Sequence, residues 1–179
     1  MAQKHGPWTI EETYQKYENS FINVREDRVL QPDGKPGSYA TVKMKPGVAI
    51  LPIDGDRHVY LTRQFRYALG QESIEVVCGA VEDNEPSLTA AKREIEEELG
   101  IKAEALIELG FFDLDISIVH CPVHLFLAKQ FSFTETHQEG TETIETVCLP
   151  LEQAVKMVIN SQITHAPSCV LILKAIHAI

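Results

Sequence analysis

Residues Gly79 to Ile101 read GAVEDNEPSLTAAKREIEEELGI, and the second half of this stretch has the pattern of a helix. Pro86 suits a first helical position, Ser87 to Leu99 holds no further breaker, and Gly100 stands where a C-terminal cap belongs. At about 100° per residue, Leu88, Ile95 and Leu99 fall within about 40° of one another, which makes a core-facing stripe. Glu94, Glu97 and Glu98 gather on a different face, while Glu96 points well away from them. Like charges one turn apart cost a helix a few tenths of a kcal/mol, so something should compensate for them. A hard divalent cation bound through oxygen is the natural candidate. Taken alone, the run REIEEEL also suits a solvated helix face.

The wider spacing separates these readings. Gly79 is followed after five residues by Glu85, and after seven more by Arg93-Glu94. Then come an aliphatic, one residue, Glu97-Glu98, one residue, Gly100 and an aliphatic. This pattern resembles the Nudix box at every fixed position. The resemblance implies an α/β/α sandwich around a mixed sheet, and hydrolysis of a diphosphate linked to another group in a small-molecule nucleoside diphosphate substrate. It also implies a magnesium site, open to manganese, made by Glu94, Glu97 and Glu98. Arg93, as a catalytic residue, and Glu85 would brace that site, and Gly79 would let the backbone turn tightly into it. In that family the residue before the box glycine offers its carbonyl to the metal, which brings in Cys78 through its main chain. A thiolate ligand is disfavoured, because magnesium prefers oxygen.

Toward the N-terminus, Ser73 to Cys78 reads as a strand delivering the chain into the box. The ADP-ribose pyrophosphatase branch of the family usually has Glu-Leu-Pro-Ala-Gly here; this chain keeps Glu75 and Gly79 but departs at Val77 and Cys78. Val48 to Ile53, the turn Asp54-Gly55-Asp56, and His58 to Arg66 read as a hairpin. Arg63 and Arg66 stand out in an acidic chain, because a planar guanidinium grips phosphate oxygens bidentately. The same branch has a similar RQFRY stretch beside its active site, implying substrate contacts for Arg63, Arg66 and the nearby Glu75. Pro46-Gly47 marks a boundary between an arm, residues 1–45, and a catalytic domain, residues 46–179. The arm is dense in aromatic and apolar residues and reads as strands over 15–24, 27–31 and 38–45, with a turn at Gln31-Pro32-Asp33-Gly34. Its VREDRVLQPDGKPG segment looks like the antiparallel N-terminal sheet with which that branch dimerises. The resemblance therefore implies a homodimer, in which Arg28 or Arg25 reaches the partner's nucleotide.

Beyond the box, Leu106 to Ile118 and Val123 to Phe131 read as strands, and Ser117 stands where the branch usually carries proline. A polar stretch, FTETHQEGTET, leads to a strand over Thr143 to Leu149 and to helices over Leu151–Asn160 and Pro167–His177. In the ADP-ribose branch the general base comes from an acidic loop in this region, which points to Glu142, with Glu139 as runner-up. Glu145 falls within the strand, its direction set by the sheet.

Strands alternating with helices give an α/β fold, and the absence of a GxGxxG after a strand argues against a dinucleotide-binding one. A net charge of −10 argues against a nucleic-acid polymer or an anionic membrane as partner, while a bound cation still admits a small anion. Four scattered cysteines without CxxC pairing, no long apolar run and no signal-like N-terminus give a cytoplasmic reading. The alternatives are hydrolysis of nucleoside triphosphates or other diphosphates, and a non-catalytic nucleotide-sugar sensor. The intact box argues against the sensor.

Overall fold

The structure, a computed structural model, describes residues 2–136 and 143–179. Along the chain come β1 (Gln3–His5), β2 (Trp8–Glu18), β3 (Ile22–Leu30), β4 (Pro36–Met44), β5 (Gly47–Pro52) and β6 (His58–Arg66). Next are β7 (Gln71–Glu75), β8 (Val77–Ala80), α1 (Ser87–Leu99), β9 (Ile101–Asp113) and β10 (Val119–His120). The chain closes with β11 (Pro122–Phe133), β12 (Glu145–Pro150), α2 (Leu151–Ile159) and α3 (Ala166–Ala175). Two compact units result, one of Met1–Lys45 with Asp113–Cys121, the other of Pro46–Phe112 with Pro122–Ile179. Among the described residues no helix is long and apolar enough to cross a membrane.

In the first unit a five-stranded sheet has the order β1-β2-β3-β4-β10. The chain reverses at Asn19, whose side-chain oxygen accepts the N–H groups of Phe21 and Ile22 at 2.9 and 2.8 Å. The break expected between residues 24 and 27 is therefore absent, and β3 runs unbroken against β2 and β4. Asp27 can sit buried within that ladder because Thr13 donates a 2.6 Å hydrogen bond to its carboxylate. The sheet is antiparallel except at one edge, where β10 lies parallel to β4. The expected strand Leu106–Ile118 instead ends at Asp113. Asp115 then accepts the Ser117 N–H and hydroxyl, and the turn feeds β10.

The second unit contains two sheets, of order β8-β5-β11-β9 and β12-β6-β7. The hairpin expected between β5 and β6 does not form; one bridge, Ile53 to Val59, joins them. A strand has two hydrogen-bonding edges, and β5 gives one to β8, antiparallel, and the other to β11, parallel. The Asp54 carboxylate accepts the Asp56 and His58 N–H groups and turns the chain away into the other sheet. Likewise Ser73–Cys78 is not one strand: β7 pairs with β6, β8 pairs with β5, and Val76 stands between them.

Val48 to Ile53 are all buried, as a strand covered on both faces requires. Val48 and Ile50 join Phe126 and Ala128 in a cluster with Ala90, Ala91, Ile95 and Leu99 of α1. The alternate residues Ala49 and Leu51 point the opposite way, and α3 packs on β5 and β11 as well. This is a mixed α/β fold. Within α1 the expected stripe shifts: Leu88 is 45% exposed, and the small side chains of Ala90 and Ala91 let the helix approach the sheet. Pro86 is the residue flanking the helix, not its first turn, and Gly100 takes the left-handed conformation (φ 60°) that closes it.

Candidate active site

The loop between β8 and α1 is drawn onto the helix by one arginine. Arg93 donates from Nε and Nη2 to Glu85 at 3.2 and 3.1 Å, and from Nη2 to the Ala80 carbonyl at 3.0 Å. Its Nη1 donates to Glu94 at 2.6 Å and to Glu97 at 3.1 Å. The Glu85 hydrogen bonds and the neighbouring carboxylate charges raise the Arg93 pKa, and Arg93 holds Glu85 below the usual carboxylate range. Glu85 also accepts the Glu82 N–H at 3.0 Å, which closes the loop on itself.

Gly79 is required by close approach. A Cβ there would stand 1.8 Å from the Glu94 carboxyl carbon and 2.1 and 2.2 Å from its oxygens. The missing side chain is thus the space the carboxylate occupies. Gly79→Ala is expected to displace Glu94 and to lower turnover about 10–100-fold, the usual loss when a residue supporting a metal ligand is disturbed. Undiminished activity of the folded variant in a steady-state assay would show that the cradle is dispensable.

Glu98, one turn on from Glu94, is 4% exposed. Among the described residues no three Asp, Glu, His or Cys side chains already converge as a cation site. Arg93 Nη1 lies between two of the helix carboxylates. The donor chemistry still fits a hard cation: three carboxylates on one rigid helix, with the Cys78 main chain on the strand entering the loop. The Cys78 thiol is pushed well above its ordinary pKa, by burial first and then by the charges of Glu98 and Glu75. A hard cation prefers oxygen, so the donor this residue offers is its carbonyl.

Arg66, paired with Gln71 at the end of β6, reaches back along the hairpin to Glu75, which β7 sets opposite Thr62, and the two form a bidentate pair. Nε donates to the two Glu75 oxygens at 3.0 and 3.2 Å and Nη2 donates to one of them at 2.6 Å. Glu75 is 2% exposed, and burial alone would raise its pKa. The hydrogen bonds from Arg66, with His165 and Ser73, outweigh burial and hold it below the usual range. The Glu98 charge also acts on Arg66, so the pair lies within electrostatic reach of that box carboxylate.

Arg63 lies on the opposite face of β6 from Arg66 by strand alternation, and donates to Glu145 of β12 at 3.2 Å. Arg28, in the first unit, is held between Glu11 at 3.1 Å and Glu12 at 3.2 Å. Glu145 lies in β12 as expected. Glu139 and Glu142 lie outside the described residues.

Two residues that sequence reasoning passed over complete this corner. Ser168 is fully buried and accepts the Val76 N–H at 2.9 Å. His165 Nδ1 lies 2.9 Å from Ser168 Oγ and 3.5 Å from Glu75. The available signal was a serine inside the apolar run of α3, where burial of a hydroxyl demands a partner.

Residues 43–167 match the NUDIX domain family, and residues 8–42 match the nucleoside diphosphate sugar hydrolase N-terminal domain. An ADP-ribose pyrophosphatase of Bacillus subtilis (strain 168) is 29% identical over 154 residues, covering 85% of this chain and 83% of that one. A methanol dehydrogenase activator of Bacillus methanolicus is 25% identical over 153 residues, covering 84% and 83%. The crystal structure of an ADP compounds hydrolase has the same fold, with a TM-score of 0.83 at 17% identity, covering 98% of this chain and 95% of that one. With most of its length matched and the box spacing intact, the chain belongs to the NUDIX domain family.

Proposed function

We propose that this protein hydrolyses the diphosphate bond of a nucleoside diphosphate sugar, with ADP-ribose favoured, to a nucleoside monophosphate and a sugar phosphate. The observation that carries the reading is the Gly79 cradle, which seats the Glu94 carboxylate against the strand leading into the box. The match of residues 8–42 to the N-terminal domain of nucleoside diphosphate sugar hydrolases, and the Bacillus subtilis ADP-ribose pyrophosphatase, support the substrate class.

Nudix hydrolases in general depend on a divalent metal; here Glu94, Glu97, Glu98 and the Cys78 carbonyl would hold magnesium, or manganese in its place. When bound, the metal neutralises the diphosphate's negative oxygens and makes water a better nucleophile. Arg93 and Glu85 keep the loop and helix in register. Arg66, already oriented by Glu75, grips the diphosphate oxygens, and Arg63 serves the substrate from the other face of the same strand. Glu142, or else Glu139, takes the proton from attacking water. The protein acts in the cytoplasm as a homodimer through its N-terminal sheet, Arg28 serving the partner's nucleotide; Tyr14, Tyr17 and Phe21, all well exposed, supply the apolar surface. Sedimentation at micromolar concentration is expected to give twice the 20.0 kDa chain mass. A monomer would remove the dimer from the proposal.

The test of function is a panel of ADP-ribose, other nucleoside diphosphate sugars and nucleoside triphosphates, assayed with magnesium, with manganese and with chelator. Metal-dependent mononucleotide release from the sugars is expected. Preferential cleavage of triphosphates, or binding of a sugar nucleotide without cleavage, would sink the reading.

A further inference from the structure

Val76 belongs to neither sheet of the second unit. β7 ends at Glu75 and β8 begins at Val77, so the N–H between them faces no strand ladder. Ser168 supplies the acceptor, from 92 residues away in the chain. On the other side of the same peptide link, the buried Thr62 hydroxyl donates to the Glu75 carbonyl at 3.3 Å. The main chain that carries Glu75 is therefore clamped from β6 and from α3.

His165 covers the Glu75 side chain. Serine, histidine and glutamate together suggest a nucleophilic triad, but the geometry rules that out. Both contacts of the imidazole run through the same Nδ1, so it cannot pass a proton from one partner to the other. Ser168 has no exposed surface on which to meet a substrate. Its oxygen accepts from Val76, and it shares a 2.9 Å hydrogen bond with His165 Nδ1 whose direction the imidazole tautomer sets. The imidazole is thereby fixed in place over a carboxylate that is 2% exposed.

We propose that His165 and Ser168 are positioning residues: together they lock Glu75, and through it the Arg66 guanidinium, in one orientation. Their task is orientation. A guanidinium whose carboxylate partner is free to swing offers its fork to a diphosphate in many directions, and small displacements of a gripping group are costly in rate. This inference rests on reading Arg66 as the group that grips the diphosphate.

The test has two arms on the full chain. In the first, the Arg66 Nε–H is followed by nitrogen-15 magnetic resonance without substrate. Its exchange with solvent is expected to accelerate about tenfold in His165→Leu and in Ser168→Ala, as local opening becomes easier. His165→Asn, whose amide lies near the position of Nδ1, should restore the slow rate. Unchanged Nε–H exchange in a folded His165→Leu protein would overturn the proposal.

In the second arm, His165→Leu is expected to lower kcat/KM about tenfold in the native background but less than about twofold in Arg66→Gln, because the two changes act through one group. Losses that multiply instead would also overturn it. If the native protein releases no mononucleotide from any sugar nucleotide, the functional reading fails, while the exchange arm still decides whether the pair positions Arg66.

Discussion

Glu97→Gln and Glu98→Gln are each expected to lower turnover more than about 100-fold while leaving the fold intact. Even outer partners of metal ligands cost about 10–100-fold, and these two carboxylates are assigned to the cation itself. The expectation of a preserved fold has its own physical basis. Neutralising one carboxylate relieves repulsion on a helix face that carries Glu94, Glu97 and Glu98 together. Glu97 also leaves Arg93 well anchored when it is lost, because that guanidinium keeps Glu85, Glu94 and the Ala80 carbonyl. Glu98 is the more sensitive position, being 4% exposed, so its circular dichroism and melting curve accompany the assay. Calorimetric titration with magnesium should show weakened binding in both variants. Glu96→Gln is the control: Glu96 pairs with Lys102 at 3.2 Å on another face, and an exposed pair is worth at most about 1 kcal/mol. Near-normal turnover of both variants at saturating magnesium would falsify the assignment of these carboxylates to the metal.

Glu142→Gln is expected to reduce kcat by about 10²–10⁴, the usual loss of a general base, with little change in metal affinity. The argument is one of division of labour. Carboxylates committed to a cation, or to an arginine as Glu94 and Glu97 are to Arg93, make poor proton acceptors. Glu145 is similarly committed, since β12 sets it opposite Arg63 with a 3.2 Å ion pair. That leaves the acidic residues just before β12, of which Glu142 stands nearest the strand and Glu139 beside Gly140. Glu145→Gln serves as the comparison and should lose little activity. Should Glu142→Gln and Glu139→Gln each keep more than about a third of kcat, the base lies elsewhere.

The helix at the centre of the protein was determined by its own residues. Its period, the glycine that ends it and the spacing of its acidic residues are local properties, and local geometry follows from them: Gly100 takes φ 60°, and Glu96 turns away to Lys102. Turns set by a single side chain were also open to reading, as at Gln31-Pro32-Asp33-Gly34, where Gly34 donates to the Gln31 carbonyl. Strand pairing was not. Val48–Ile53 and His58–Arg66 have every local mark of a hairpin, yet β5 spends its two edges on β8 and β11, one of them more than seventy residues away. Which strand wins an edge depends on all the strands competing for it, and no short window contains that competition. The same holds for the break at Val76, for the parallel seat of β10 on β4, and for Leu88, displaced from the buried stripe once Ala90 and Ala91 lie against the sheet. At the candidate site the division is the same. The carboxylates, Arg93 and Gly79 were legible because one short strand–loop–helix segment carries them. The seating of Arg66 on Glu75, and of both under His165 and Ser168, was decided by tertiary structure, because a buried charge and an orphaned N–H find their partners only when distant elements close over them.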